Sequence, residues 1–166
     1  MKTPLPSWLD FFAIPVSWMY TKIIRIRNRY YDKGNNVHKV PLPVIAVGNL
    51  TVGGTGKTPL VTWIVRRLRE HGHNPAVVMR GYASVNPENA DEAVEYRERL
   101  DDIDVIVGAD RVAKITAYIE GGGSADCVVM DDGFQHRRIE RDLDIVVMDY
   151  LRDPFEQRVL PAGWLR

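Results

Sequence analysis

Between Val44 and Pro59 an apolar run passes into a glycine-rich turn and then a Lys-Thr pair: Val-Ile-Ala-Val-Gly-Asn-Leu-Thr-Val-Gly-Gly-Thr-Gly-Lys-Thr-Pro. Residues of these types at this spacing suit the binding of a nucleoside triphosphate. Gly53, Gly54 and Gly56 let successive backbone N–H groups curl around phosphate oxygens, and the helix that follows points the positive end of its dipole at them. Lys57 is placed to reach the β- and γ-phosphates, and the Thr58 hydroxyl to sit on Mg²⁺. The candidate nucleotide-binding set is therefore Thr51, Val52, Gly53, Gly54, Thr55, Gly56, Lys57 and Thr58. Thr51 stands where the usual phosphate-loop pattern has its first glycine.

A second motif, Val128-Val-Met-Asp-Asp-Gly-Phe-Gln-His136, ends an apolar run in two carboxylates. P-loop enzymes place a magnesium-organising aspartate at such a strand end, so Asp131 and Asp132 are the candidate metal residues, one of which is expected to hold the ion directly or through water. Strand-terminal aspartates also serve as caps and turn formers. His136 is open between orienting a phosphate or substrate and being an incidental surface group. Asp91 and Glu92 open a helical stretch, where acidic residues are favoured by the dipole alone.

These groups need a scaffold, and the apolar patterning supplies one. Val44–Val47, Ala76–Met79, Val105–Val107, Cys127–Met130 and Leu143–Met148 are short, nearly continuous apolar runs, the pattern of strands buried on both faces of a parallel sheet. Helical patterns separate them: Leu60, Val61, Ile64, Val65 and Leu68 recur at helical spacing, and Asp91–Leu100 and Val112–Glu120 follow. Pro59 suits a first helical turn, and Gly121–Ser124 reads as a turn from helix to strand. The expected fold is α/β, a P-loop NTPase-like, mostly parallel sheet with flanking helices. In such sheets ligands bind beyond the carboxyl ends of the strands, where the polar motifs fall.

The chain has 166 residues, 45% of them hydrophobic, enough for one core plus appendages, and a formal net charge of zero. The charge is uneven: residues 1–40 carry seven Lys/Arg against Asp10 and Asp32. No continuous basic footprint for nucleic acid results. The single Cys127 lies in an apolar run and reads as a reduced core thiol, consistent with a cytosolic compartment.

Residues 1–40 read as an arm preceding a nucleotide-binding domain at 41–166. Trp8, Phe11, Phe12, Pro15, Met19 and Ile23 fall near one helical face, followed by Lys22, Arg25, Arg27, Arg29 and Lys33. The apolar part is short for a membrane span, which needs about 20 residues. A secretory signal would place its cations first and end in small residues, and neither is present. The arm, residues 1–33, is expected to lie in a membrane interface, its cations favouring the cytoplasmic leaflet at roughly 1 kcal/mol each.

Gly48-Asn-Leu-Thr-Val-Gly-Gly-Thr-Gly-Lys-Thr-Pro59, Arg80-Gly-Tyr82, Asp91-Glu92, Gly108-Ala-Asp-Arg111, Asp131-Asp-Gly-Phe-Gln-His136 and Leu160-Pro-Ala-Gly163, taken in order, resemble the tetraacyldisaccharide 4'-kinase family of Gram-negative bacteria. That family includes Thr or Ser at the position of Thr51 and has an N-terminal membrane helix. The resemblance implies phosphoryl transfer from ATP, with Mg²⁺, to the 4'-hydroxyl of tetraacyldisaccharide 1-phosphate, a lipid A precursor, giving lipid IVA at the cytoplasmic face of the inner membrane. It further implies that Lys57 stabilises phosphate charge and that Thr58, Asp131 and Asp132 organise Mg²⁺. Asp91 would activate the sugar hydroxyl, and Glu92 would support that geometry. Family members continue past the motif at which this sequence ends, into a C-terminal lobe, so reduced catalysis is expected of these residues alone. The stretch from Tyr82 to Asp91 is shorter than is usual, and Ala83 and Ala90 stand where glycines are common.

Two other functions fit parts of the pattern. A partition-type ATPase switch uses a related loop, but has lysine where this chain has Val52. The other is a membrane-bound remnant that holds nucleotide without transferring phosphate.

Overall fold

The computed structural model describes residues 10–51, 56–81, 91–148, 159–162 and 165. Val52, Gly53, Gly54 and Thr55 of the loop, Trp8 of the arm and the stretch 82–90 lie outside the described residues. The elements run α1 (Asp10–Asp32), β1 (Val44–Asn49), α2 (Lys57–Glu70), β2 (Pro75–Met79), α3 (Asp91–Arg99), β3 (Val105–Val107), α4 (Arg111–Glu120), β4 (Cys127–Met130) and β5 (Leu143–Val147). Their backbone contacts fall into two units. One comprises Met1–Asn36, Asn49–Thr55 and Val147–Arg166, the other Val37–Gly48 and Gly56–Val146.

The sheet has the order β3-β2-β4-β1-β5. β1 pairs in parallel with β4, β4 with β2, and β2 with β3. β2 and β4 are buried throughout, as their unbroken apolar runs require. β5 departs from that expectation. It lies at the sheet edge with a ladder on one side only, and Leu143 is half exposed.

Helical periodicity turns the apolar residues of the crossover helices toward this sheet. Val61, Ile64 and Val65 of α2, Ala93 and Tyr96 of α3, and Ile115 of α4 are buried. Both α3 and α4 pack on β3, and α4 also reaches β2. Arginines of α2 fasten the far end of α3: Arg66 donates to the Arg99 carbonyl at 3.0 Å, and Arg69 to the carbonyls of Asp101 and Asp102 at 2.6 and 2.8 Å. Such bonds occupy carbonyls that a helix C-terminus leaves without partners.

In the other unit, α1 hides Ala13 and Ser17 on one face, with the Ser17 hydroxyl donating to the Val159 carbonyl at 2.5 Å. Phe12, Val16, Met19, Ile23, Ile26 and Tyr30 form an exposed stripe at three- and four-residue spacing. Phe12, Met19 and Ile23 of the sequence-derived apolar face are thus on the surface, and Ile26 and Tyr30 extend that face toward the helix C-terminus. Lys22 lies over the Trp18 ring, 3.6 Å from its centroid. No helix among the described residues is long and apolar enough to cross a membrane.

Because β1 and β4 are neighbours, the loops leaving their carboxyl ends meet. The Gly133 amide donates to the Val47 carbonyl at 2.8 Å. Two glycines permit this approach. A Cβ on Gly133 would sit 2.8 Å from Met130 Cβ and 3.1 Å from Ala46 Cβ, and one on Gly48 would sit 2.5 Å from Phe134 Cβ and 2.8 Å from its backbone nitrogen. Gly48→Ala is therefore expected to destabilise the fold by about 1–3 kcal/mol, since a backbone clash cannot be relieved by rotamer change. A urea midpoint equal to that of the unsubstituted chain would contradict it.

Candidate active site

Gly56 ends the phosphate-loop sequence in the left-handed region, φ 72°, and forms the N-cap of α2. The space around it is open, so glycine is needed there for backbone conformation alone. Lys57 and Thr58 thus open α2, the helix that follows β1 in the chain. The Thr58 carbonyl accepts from the Thr62 hydroxyl at 2.8 Å.

Across from them, Asp131 and Asp132 follow β4. The Lys57 ammonium lies 3.7 Å from Asp132 Oδ1, with both side chains largely covered. Asp132 holds a left-handed φ of 48°, strained for a residue with a side chain. Buried Arg111, the first residue of α4, supports it by donating to the Asp132 carbonyl at 3.2 Å.

Asp131 is more enclosed than its neighbour. Its Oδ2 accepts from the Tyr96 hydroxyl at 2.7 Å, and its Oδ1 from the Asp132 amide at 2.7 Å. Burial raises its pKa, against the lowering effect of the Tyr96 bond, the amide and Lys57. Glu92, in the first turn of α3, is also raised, by burial and then by the fields of Asp131 and Asp132. Lys57 therefore faces Asp131 and Glu92, two carboxylates whose charge burial and their acidic neighbours disfavour. An added cation would relieve that repulsion.

A family model described as tetraacyldisaccharide-1-P 4'-kinase matches residues 9–166. The chain belongs to this kinase family. A tetraacyldisaccharide 4'-kinase of Halorhodospira halophila is 42% identical, covering 92% of this chain and 50% of the relative. One of Nitrosococcus oceani is 40% identical over 92% of this chain and 48% of the relative. The crystal structure of LpxK from Aquifex aeolicus in complex with ATP superposes with a TM-score of 0.85 at 34% identity, over 95% of this chain and 54% of that one. The chain spans about half the length of the curated relatives it matches.

Of the residues singled out from the sequence of this kinase-family chain, the fold gathers Lys57, Thr58, Glu92, Asp131 and Asp132 at one end of the sheet. Asp91 is exposed at the first position of α3. Thr51 is buried, its carbonyl accepting from Asn49 Nδ2 at 2.6 Å and its backbone bridging Leu165. Cys127 is buried, and burial pushes its thiol up to about 12, which suits a core residue. Sequence reasoning assigned nothing to Tyr96 or Arg111. Tyr96 sits on the apolar face of α3 with Ala93, where periodicity alone reads it as core, and Arg111 appeared only as part of a motif.

His136 is half-buried, so the incidental surface reading gives way. Its amide donates to the Gly133 carbonyl at 2.9 Å, which ties it to the turn after the acidic pair. Burial, then Arg111 and Arg138, push its pKa down to about 4 from 6.5, and its buried Nε2 has no hydrogen-bond partner among the described residues. Between these values the unfolded chain binds a proton that the folded chain does not. This contribution to stability is complete above about pH 6.5 and is lost as pH falls toward 4. Asp131 and Glu92, raised in the folded state, act in the opposite sense. Denaturation midpoints measured from pH 7 to 4 should therefore fall less steeply for His136→Gln than for the unsubstituted protein. Parallel curves would remove His136 as a cause.

Proposed function

We propose that this chain forms the nucleotide-binding part of a lipid kinase that passes the γ-phosphoryl group of ATP to the 4'-hydroxyl of tetraacyldisaccharide 1-phosphate. The supporting observation is the approach of Lys57 to Asp132, 3.7 Å, at the adjoining carboxyl ends of β1 and β4. This pairs a phosphate-neutralising cation with a carboxylate suited to a divalent ion. Thr51 to Thr58 would wrap the phosphate chain, with Lys57 countering charge on its β- and γ-oxygens.

The donors fit magnesium. Mg²⁺ prefers hard oxygen ligands and is bound through one or two carboxylates together with phosphate oxygens and water. The Thr58 hydroxyl and the carboxylates of Asp131 and Asp132 supply that kind of set. It needs no cage of three or more acidic or imidazole ligands, and none occurs among the described residues. When bound, the ion neutralises charge on the transferring phosphoryl group.

The residues of the chain then divide the remaining work. Asp91, exposed at the start of α3, is the candidate to accept the proton of the sugar hydroxyl, and Glu92 orients that end of the helix. Catalysis here is mostly positioning and charge stabilisation, which suits a rigid sheet edge flanked by anchored helices.

The exposed α1 stripe supports membrane docking at the cytoplasmic surface of a bacterial inner membrane, where an acylated substrate resides. Lys22, Arg25 and Arg29 flank the stripe and would meet anionic headgroups, at roughly 1 kcal/mol each. Deleting residues 1–33 should shift the protein from the pellet to the supernatant when it is sedimented with phosphatidylglycerol vesicles. Unchanged sedimentation would refute the docking role.

Calorimetry with ATP and Mg²⁺ tests the nucleotide reading, and Lys57→Ala should weaken binding at least 10-fold. Where transfer to an acylated glucosamine disaccharide is measured, Lys57→Ala and Asp132→Ala should each lower it by about 10²–10³-fold, the scale of losing one transition-state charge partner. Near-normal turnover by either variant would rule out this site.

A further inference from the structure

The Tyr96 hydroxyl is buried in the centre of the site, although packing alone would be served by a phenyl ring. Tyr96 is fully buried on the core face of α3. A buried hydroxyl is costly unless it is bonded, and this one is bonded on both sides. It donates to Asp131 Oδ2 at 2.7 Å, while the Thr58 side chain hydrogen-bonds to the phenol oxygen.

The direction of this chain of bonds follows from proton count. Asp131, accepting the Tyr96 proton on one oxygen and the Asp132 amide on the other, acts as an acceptor at both. With its only proton committed to Asp131, the phenol can only accept from Thr58. The Thr58 hydroxyl therefore points its hydrogen toward Tyr96 and leaves oxygen lone pairs facing away, the orientation a cation requires. Without the phenol, Thr58 is free to turn its hydrogen elsewhere, and Asp131 loses a donor that holds its rotamer.

We propose that Tyr96 is a positioning residue for the magnesium–nucleotide site, aligning the Thr58 hydroxyl and the Asp131 carboxylate from behind and tying them to α3, the helix that carries Asp91 and Glu92. The inference rests on the nucleotide reading above. It assigns Tyr96 no contact with substrate. Its effect passes through the two groups it holds, as partners behind a ligand commonly tune metal affinity by 10- to 100-fold.

Tyr96→Phe in the full chain keeps the ring and removes only the hydroxyl. Calorimetry would measure ATP affinity with saturating Mg²⁺ and with the metal chelated, for both proteins, beside their melting temperatures. The expected result is metal-free affinity within about 2-fold of the unsubstituted chain and a loss of about 10-fold in the enhancement given by Mg²⁺. A purely structural role would lower the melting temperature or both affinities alike, leaving the enhancement unchanged, and that result overturns the inference. Should the variant not fold, the unsubstituted protein carries the test. With labelled tyrosine, the Tyr96 hydroxyl proton resonance should move when Mg²⁺ is added to the ADP-bound form, and a static resonance overturns the proposal. Failure of the unsubstituted chain to bind ATP overturns the nucleotide reading and this inference together. An unchanged magnesium effect in a protein that does bind ATP overturns this inference alone.

Discussion

The bond from the Gly133 amide to the Val47 carbonyl closes the gap between the loop after β4 and the strand that feeds the phosphate loop. That approach is available only because Gly48 and Gly133 present no side chain where Phe134, Met130 and Ala46 crowd in. The pairing of Lys57 with Asp132 depends on it. Were the two strand ends a side chain further apart, Lys57 would lose Asp132. The parallel pairing of β1 with β4 sets the register, and the glycines set the distance.

Around that junction the protein concentrates carboxylates. Asp131 and Glu92 are both raised by burial and by neighbouring carboxylates, with Lys57 the cation that opposes them in each case. Such a cluster disfavours folding in isolation, a cost that the magnesium site proposed above would offset. Its supports are rigid: Arg111 braces the Asp132 carbonyl, Tyr96 braces Asp131, and the arginines of α2 anchor the opposite end of α3. Half-buried His136, kept neutral by burial and nearby guanidinium groups, belongs to the same assembly.

Much of this was legible in the order of residues. Apolar runs marked all five strands within a residue or two, because burial on both faces leaves an unbroken hydrophobic signature. β5 misled in one respect, since an apolar run does not reveal whether a strand lies in the middle of a sheet or at its edge. Lys57, Thr58, Asp131 and Asp132 could be singled out as candidates because loop chemistry is written in contiguous residues. Tyr96 was not, because its core position and its polar tip give opposite signals and only the fold reveals which atom the hydroxyl meets.

The sequence by itself determined the α/β class and marked out the candidate phosphate loop, the acidic pair and the amphipathic N-terminal pattern, all of which are local patterns set by glycine spacing and by hydrophobic period. Tertiary structure decided strand order, and with it which carboxylate faces Lys57 and what stands behind the other. The bonds that settle those questions join residues 35 and 21 positions apart, Tyr96 to Asp131 and Arg111 to Asp132. Contacts of that range arise only when the crossover helices have packed and brought β4 between β2 and β1.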